Sequence, residues 1–531
     1  MGAGAVATGG VHGNYAHLLD PNRKWYNNRR IIALNGWLVL FLITSSTNGY
    51  DGSMMNGLQS IEQWEAYFNY PNASRLGLLN AIQNIGALAA YPFAPYVSDG
   101  LGRKKAVIFG ATIMIAATAL QTASTNSEMF IGARFLIGFG LTFAANAAPM
   151  LVTETSYPTY RAPITSMYNS LWYSGAIIAA WTTFGTFKIK NTWSWRIPSV
   201  LQGLPAIAQV CLVWFAPESP RWLVGKGRDQ EALETLAYYH ADGNKDDPLV
   251  RYEFEEIKSA IDFDKNVVSN VGWSALWKTR GNRKRMGLII AIAFFSQWSG
   301  NGLVSYYLNM VFDTIGITDP AIQLLINGIL QIWNLCWALF ASAMVDKIGR
   351  RVLFISSCIG MLVFFILQTV CSALYVQKQS DAAAHAVIAF IFLFYASYDL
   401  AFTPLIVAYT LEILPFHLRA KGFNVFNFVI SCALIFNQYV NPVAMKAIGW
   451  KYYIVYCVWL AFELVFCYLF IVETKNLTLE ETAALFDGEE ATNAITENAA
   501  RDAGVTHDIG LGTPNEKDSS SLHETAAPLH R

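Results

Sequence analysis

The chain is poor in charge. Only 14% of its 531 residues are Asp, Glu, Lys or Arg, while 54% are hydrophobic. A soluble domain carries about 25% charged residues, so the deficit argues against a water-soluble fold. The formal net charge of -1 gives no reason to expect a nucleic-acid partner. Cysteine is scarce too. The seven, Cys211, Cys336, Cys358, Cys371, Cys432, Cys457 and Cys467, all fall in apolar segments, and none pairs at Cys-x-x-Cys spacing. They read as buried free thiols, not as a disulfide framework or a metal site. The sequence lacks a Walker loop, a His-Glu-x-x-His and a Gly-x-Ser-x-Gly, so nothing marks a membrane enzyme and no cofactor is implied. Residues 1–30 are Gly/Ala-rich and then polar, without the short apolar core of a cleavable signal peptide. The first long apolar run, from near Ile31, is therefore expected to stay in the mature protein.

Apolar runs of about twenty residues take the place of the missing charge, enough to cross a hydrocarbon core of about 30 Å. Twelve candidate spans are expected, at 31–57, 76–97, 106–124, 129–150, 163–187, 197–216, 286–312, 322–345, 352–375, 385–413, 420–443 and 451–472. They do not alternate as barrel strands would, so helices are the spanning element. The expected organisation is an N-terminal segment 1–30, a six-helix bundle 31–216, a polar loop 217–285, a second bundle 286–472 and a tail 473–531. Within the loop, Val250, Phe254, Ile257 and Ile261 recur at helical spacing, which predicts short helices at the membrane face. The polar tail reads as largely disordered.

Basic residues set the orientation. Arg23, Lys24, Arg29 and Arg30 precede span one, and Arg103, Lys104 and Lys105 separate spans two and three. Lys347, Arg350 and Arg351 separate spans eight and nine, and Arg419 and Lys421 separate ten and eleven. Alternating spans put all these clusters on one side, expected to be the cytoplasm together with both termini. The sequon Asn72-Ala73-Ser74 then lies outside, where Asn72 is a glycosylation candidate, or else an unused tripeptide.

The halves repeat. Asp99-Gly100-Leu101-Gly102-Arg103-Lys104 recurs as Asp346-Lys347-Ile348-Gly349-Arg350-Arg351. Glu154 precedes Arg161 by seven residues, and Glu412 precedes Arg419 by seven. Parallel six-span halves place a substrate site near the midplane, at their interface.

These motifs, with Gly132-Ala133-Arg134, Pro217-Glu218-Ser219-Pro220-Arg221-Trp222 and Val472-Glu473-Thr474-Lys475, resemble the sugar porter family of the major facilitator superfamily over nearly all of residues 30–480. The segments Gln297–Tyr307 and Thr403–Glu412 look like its fungal branch of lactose and cellodextrin permeases. Two positions depart from the hexose-carrier pattern. Ser296-Gln297 stands for a Gln-Gln pair, and Val407 for a tryptophan near the sugar. Both changes widen the expected pocket toward a disaccharide.

The resemblance aligns Asn169, Gln297, Asn301, Asn334 and Asn427 with, or next to, sugar-contacting positions. Neutral amides suit sugar hydroxyls, since each both donates and accepts. Tyr306 and Tyr307 would add a ring face and a hydroxyl. The alternative for every amide is helix–helix hydrogen bonding. Gly300 and Gly302, flanking Asn301, either loosen the helix around a cavity or allow close packing.

Asp51 lies in span one, where an ionised carboxylate costs roughly 2.5–3.5 kcal/mol or more on insertion scales. It needs a partner or a proton. Arg134 in span four is the natural partner, and the resemblance implies that the two meet. Their separation on protonation would couple transport to protons, whereas a permanent ion pair would not. Asp399 is a second buried carboxylate, aligned with a sugar-binding glutamate, or else bonded to Tyr398 or a neighbouring helix. The groups Asp99/Arg103, Glu154/Arg161, Asp346/Arg350 and Glu412/Arg419 read as cytoplasmic ion-pair latches that hold the outward-open state and part as it turns inward. The alternative is a solvated cluster that only sets topology.

The sequence therefore predicts an all-α membrane protein of twelve transmembrane helices in two six-helix pseudo-symmetric halves. The resemblance implies a sugar transporter of the plasma membrane working by alternating access, with the proton as coupling ion and the lipid bilayer as its surroundings. An uncoupled hexose facilitator and a sugar sensor are the alternatives.

Overall fold

A backbone crossing a bilayer must satisfy its own polar groups, so apolar runs of this length fold as helices. The computed structural model of the protein describes residues 25–263, 272–475 and 485–486. Among these, nine stretches are long and apolar enough to cross a membrane, and one of them, Lys421–Phe470, contains parts of two helices. Two more spans, Ala73–Ala90 continued by Ala94–Leu101, and Pro158–Thr186, bring the set to twelve.

The first half consists of Arg29–Leu58, the Ala73–Leu101 pair just named, Arg103–Thr122, Ser127–Thr155, Pro158–Thr186, and Trp193–Leu201 continued by Leu204–Leu212. The second consists of Arg280–Trp298 continued by Asn301–Asp313, then Pro320–Ile348, Arg350–Lys378, Asp381–Ala401 continued by Leu405–Ile413, Phe416–Ile448 and Tyr452–Phe470. These are spans one to twelve below. Several begin before their apolar run, as at Arg29, Arg103, Arg280 and Arg350. A polar first turn stays helical because its side chains reach the headgroup region. Side-chain caps fix other starts: Asn28 accepts from Arg30 N and Ile31 N, Asn126 from Met129 N, and Thr279 from Asn282 N.

The repeat is visible in the backbone. Spans three and nine are each entered through a glycine of nearly identical torsions, Gly102 (φ 107°, ψ 157°) and Gly349 (φ 105°, ψ 158°). Positive φ of this kind favours glycine. Between the halves lie short helices, Pro220–Gly225, Asp229–His240, Pro248–Phe263 and Ala275–Lys278. Leu223, Leu236, Val250 and Phe254 form a small core of their own there, with Ile257 and Ile261 packed against it.

The halves meet mainly at the end opposite the basic clusters. There span one faces the second part of span seven and span eight, and Ser74 of span two meets Tyr439 of span eleven at 2.9 Å. The side chains of Asn169 and Asp346 lie outside the described residues, as do residues 1–24 and most of the tail beyond Lys475.

Candidate functional site

The seal between the halves is built on a kink. Tyr307 has non-helical torsions (φ -140°, ψ 36°) inside Asn301–Asp313, which takes its neighbours out of the helical ladder. Amides of the other half answer. Asn56 Oδ1 accepts from Leu308 N at 3.1 Å, and Gln59 Nε2 donates to Tyr306 O at 3.0 Å. Asn309 Nδ2 donates back to Gln59 O at 3.2 Å, and Ser60 Oγ to Gln323 Oε1 at 3.0 Å. Tyr307 is fully buried, and its hydroxyl donates to the Gln438 carbonyl. The ring face and hydroxyl expected of Tyr307 at a sugar are thus engaged in the seal.

Asp51 is fully buried in span one. Gln202 Nε2 donates to its Oδ1 at 2.5 Å, and Gln83 Nε2 reaches its Oδ2 at 3.5 Å. Arg134 is equally dry. It donates from Nη2 to Gln83 Oε1 at 2.7 Å and from Nε to Leu79 O at 2.9 Å, and its Nη1 has no hydrogen-bond partner. The direct Asp51–Arg134 contact implied by the resemblance is replaced by a bridge. Gln83 has one face that donates and one that accepts, and it spans carboxylate and guanidinium.

Span seven breaks at Ser299–Gly300, where Gly300 takes φ 97°. The break frees the last carbonyls of Arg280–Trp298, and the second part of span seven and neighbouring spans satisfy them. Ser296 O accepts from Asn301 Nδ2 at 3.1 Å and Tyr398 Oη at 2.6 Å, and Gln297 O from Asn437 Nδ2 at 2.8 Å. Tyr395 Oη donates to Asn301 O at 2.8 Å. Asn301 is therefore partly spent on capping the break, which leaves its Oδ1 buried without a hydrogen-bond partner. Asn334 Oδ1 on span eight is in the same condition. So is Asp399 Oδ2 on span ten, while Asp399 Oδ1 accepts from Tyr173 Oη and Thr403 Oγ1, each at 2.6 Å. Tyr173 belongs to span five, so Asp399 also ties the halves together near the midplane. Of the two partners expected for it, a neighbouring helix and Tyr398, the bond goes to the neighbouring helix.

Gln297 is half-buried and donates to Ser296 Oγ at 3.1 Å. Tyr306, beside the kink, is half-buried. Asn427 Nδ2 donates to Phe423 O of its own helix at 3.0 Å. Asn72 caps span two by accepting from Arg75 N at 2.9 Å. That leaves its Nδ2, the atom a glycan would take, out of the cap.

At the basic end Arg103 meets Asp99 at 2.9 Å and Glu154 at 3.3 Å, and Arg350 meets Glu412 at 3.0 Å. Each of these pairs lies within one half. Each therefore clamps helices of its own bundle together in the conformation described. Arg161 meets Glu253 of the loop helix at 3.3 Å, and Arg419 is buried. Sequence reasoning missed two further carboxylates. Glu218 accepts from Lys104 N at 3.3 Å, and Glu473 from Arg350 N and Arg351 N at 2.9 and 3.0 Å. Each caps a helix start, where amide donors are unpaired. Ser219 then donates to Glu154, as Thr474 does to Glu412. Pro217-Glu218-Ser219 and Val472-Glu473-Thr474 are thus repeats of each other. Gln83 and Gln202 were missed as well, although amides inside spans 76–97 and 197–216 meet the criterion that singled out Gln297.

The profile of the sugar (and other) transporter family matches residues 37–486. The chain belongs to this family. It is a multi-pass membrane protein with the two-half major facilitator fold, and its family carries solutes without transforming them. It is similar to the MFS-type transporter oryC of Aspergillus oryzae, 28% identical over 468 residues that cover 84% of this chain and 85% of that one. It is similar to the high-affinity glucose transporter of Kluyveromyces lactis, 27% identical, with 82% and 81% covered. Among solved structures, the inward open xylose transporter XylE from E. coli shares the fold at a TM-score of 0.70. The identity is 21%, over 85% of this chain and all of that one.

Proposed function

We propose that this sugar porter carries a sugar across the plasma membrane by alternating access, in symport with a proton. The basic end is then cytoplasmic, the seal at Asn56 and Gln59 is extracellular, and the conformation described is closed to the outside.

The observation that carries the symport reading is the Asp51–Gln83–Arg134 bridge. Two opposite charges sit dry and are joined through one amide instead of touching. An arriving proton neutralises Asp51, weakens it as an acceptor for Gln83 and Gln202, and leaves Arg134, held by Gln83 and Leu79 O, without its countercharge. A proton moving down a potential supplies about 2.3 kcal/mol per 100 mV, roughly a fortyfold gradient of a neutral sugar.

The buried, unpartnered acceptors Asn301 Oδ1, Asn334 Oδ1 and Asp399 Oδ2 support a polyol substrate, because each accepts a sugar hydroxyl. Gln297, Tyr306, Asn427 and Asn169 complete the proposed set. A disaccharide is favoured, since Ser296 and half-buried Val407 leave more room than the residues they replace. The relatives named as glucose transporters favour a hexose as substrate, and an uncoupled hexose facilitator is the second reading.

Radiolabelled uptake in a transporter-null yeast, across a sugar panel at two external pH values, separates these readings. Concentrative uptake of a disaccharide that rises at acid pH is expected. Equilibrative hexose uptake indifferent to an uncoupler would replace symport with facilitation, and binding without uptake would leave a sensor.

A further inference from the structure

Glu463 is a fully buried carboxyl in the middle of span twelve that the transport scheme does not use. It faces the break of span seven. Ser299, the residue that ends Arg280–Trp298, lies with its Oγ 2.9 Å from Glu463 Oε2 and 3.1 Å from Oε1. The same hydroxyl is also within hydrogen-bonding reach of Phe295 O.

A serine has one proton to give. If Ser299 gives it to Phe295 O, an ionised Glu463 would present an acceptor to an acceptor. If Ser299 gives it to Glu463, a buried carboxylate holds a single donor for two oxygens. A dry charge needs far more than that. No cation helps, because the groups that face Glu463 are uncharged or acidic. They are Cys467 one turn along the same helix, Cys358 of span nine, whose sulfur is 3.7 Å from that of Cys467, and Tyr398 of span ten. Among the described residues no Lys, Arg or His pairs with it. The Trp459 indole stands beside it without a well-formed hydrogen bond.

One arrangement gives both protons an acceptor and leaves no charge buried: the carboxyl keeps its proton and gives it to Ser299 Oγ, and Ser299 gives its own to Phe295 O. We infer that Glu463 is a neutral carboxylic acid, and that this two-step chain makes it the positioning residue that fixes the end of the first helix of span seven. Gln297 lies two residues before that end and Asn301 two after it, so Glu463 sets where the proposed sugar amides stand without touching the substrate.

The inference rests on the transport reading only for its functional consequence. Glu463→Gln keeps a donor at the same place, whereas Glu463→Ala and Ser299→Ala remove the chain. Uptake by Glu463→Gln is expected within about twofold of wild type, at unchanged pH dependence. Uptake by the two alanine variants should fall about fivefold or more, as losing one buried hydrogen bond does. Infrared spectra of purified protein give a readout free of transport. A protonated-carboxyl C=O band at neutral pH should be present in wild type and lost in Glu463→Gln. If Glu463→Gln loses uptake as fully as Glu463→Ala, or if its spectrum loses only carboxylate bands, the neutral acid is wrong. A wild-type protein that moves no sugar would end the transport reading, while the infrared comparison would still decide the protonation state.

Discussion

At the basic end, the first half keeps its Arg103–Glu154 pair nearly dry, with side chains 9% and 4% exposed. The second half leaves the equivalent Arg350–Glu412 pair at 14% and 28%. The geometry is the same: a left-handed glycine, a guanidinium, a partner carboxylate, a capping carboxylate and a hydroxyl. The surroundings differ because the chain after span six turns into short helices that fold back, with Trp222 Nε1 donating to Asp99 O at 2.9 Å. The interiors differ more. The first half buries Asp51 and Arg134 as opposite charges with amides between them. The second half buries Asp399 and Glu463, neither of which meets a cation among the described residues. The comparison teaches that duplication has preserved the hardware around which each bundle is built, while the chemistry inside is divided between the halves.

The hardest test of that division is charge removal at the two interior aspartates. Asp51→Asn should abolish accumulation against a gradient while sugar exchange persists, because the roughly 2.3 kcal/mol per 100 mV of proton work no longer couples. Asp399→Asn should raise the sugar concentration needed for half-maximal uptake and leave accumulation intact. Loss of accumulation in both variants would mean that the halves share the proton.

The two clamps give the next largest difference. Breaking a buried ion pair from one side costs up to about 3–5 kcal/mol, less here because Arg103 keeps Asp99, and a wetter pair is worth about 1 kcal/mol or less. Glu154→Ala should therefore lower the thermal midpoint of purified protein far more than Glu412→Ala does. Equal shifts would show that the difference in exposure has no energetic consequence.

The seal comes third. Asn56→Ala leaves Leu308 N–H buried without its partner, a loss of about 1–3 kcal/mol borne by the sealed state alone. An impermeant thiol reagent should then label Gln323→Cys from the sealed side several-fold faster in the Asn56→Ala background. An unchanged labelling rate would remove Asn56 from the seal.

Much of this was legible in the sequence, and what was not has a physical reason. The spans follow from apolar length, and the repeat from Gly102-Arg103 and Gly349-Arg350, because a left-handed torsion admits little besides glycine. Asp51 stood out because a carboxylate inside a span is expensive in free energy. The bridge through Gln83 was not legible, since sequence spacing does not say which of several intramembrane amides faces a given charge. The kink at Tyr307 was hidden too. Nothing in Ser305-Tyr306-Tyr307 breaks a helix by itself, and it is Asn56 and Gln59, about 250 residues away in the other half, that satisfy the freed groups. Glu218 and Glu473 were overlooked because their motifs read as signatures, and their kinship appears only when both carboxylates are seen capping the spans that begin at Arg103 and Arg350.

The smallest effect belongs to Glu218, which lies in the loop after span six, outside the membrane-spanning helices. Burial pushes its carboxyl above the ordinary range, against the pull of the Ser219 and Lys104 amides. The folded protein thus holds this proton more tightly than the unfolded chain does. Between the unfolded and folded values the folded state binds more protons, so stability falls as pH rises across that interval and is recovered as pH falls. Glu218→Gln cannot titrate, and still offers an acceptor to the Lys104 amide. Its thermal midpoint should change less than that of wild type as pH is lowered from neutral toward about 5. If both proteins gain equally on acidification, the burial of Glu218 under the fold-back helices contributes nothing to the contrast between the halves, and the dry clamp of the first half rests on Arg103, Glu154 and their partners Asp99 and Ser219.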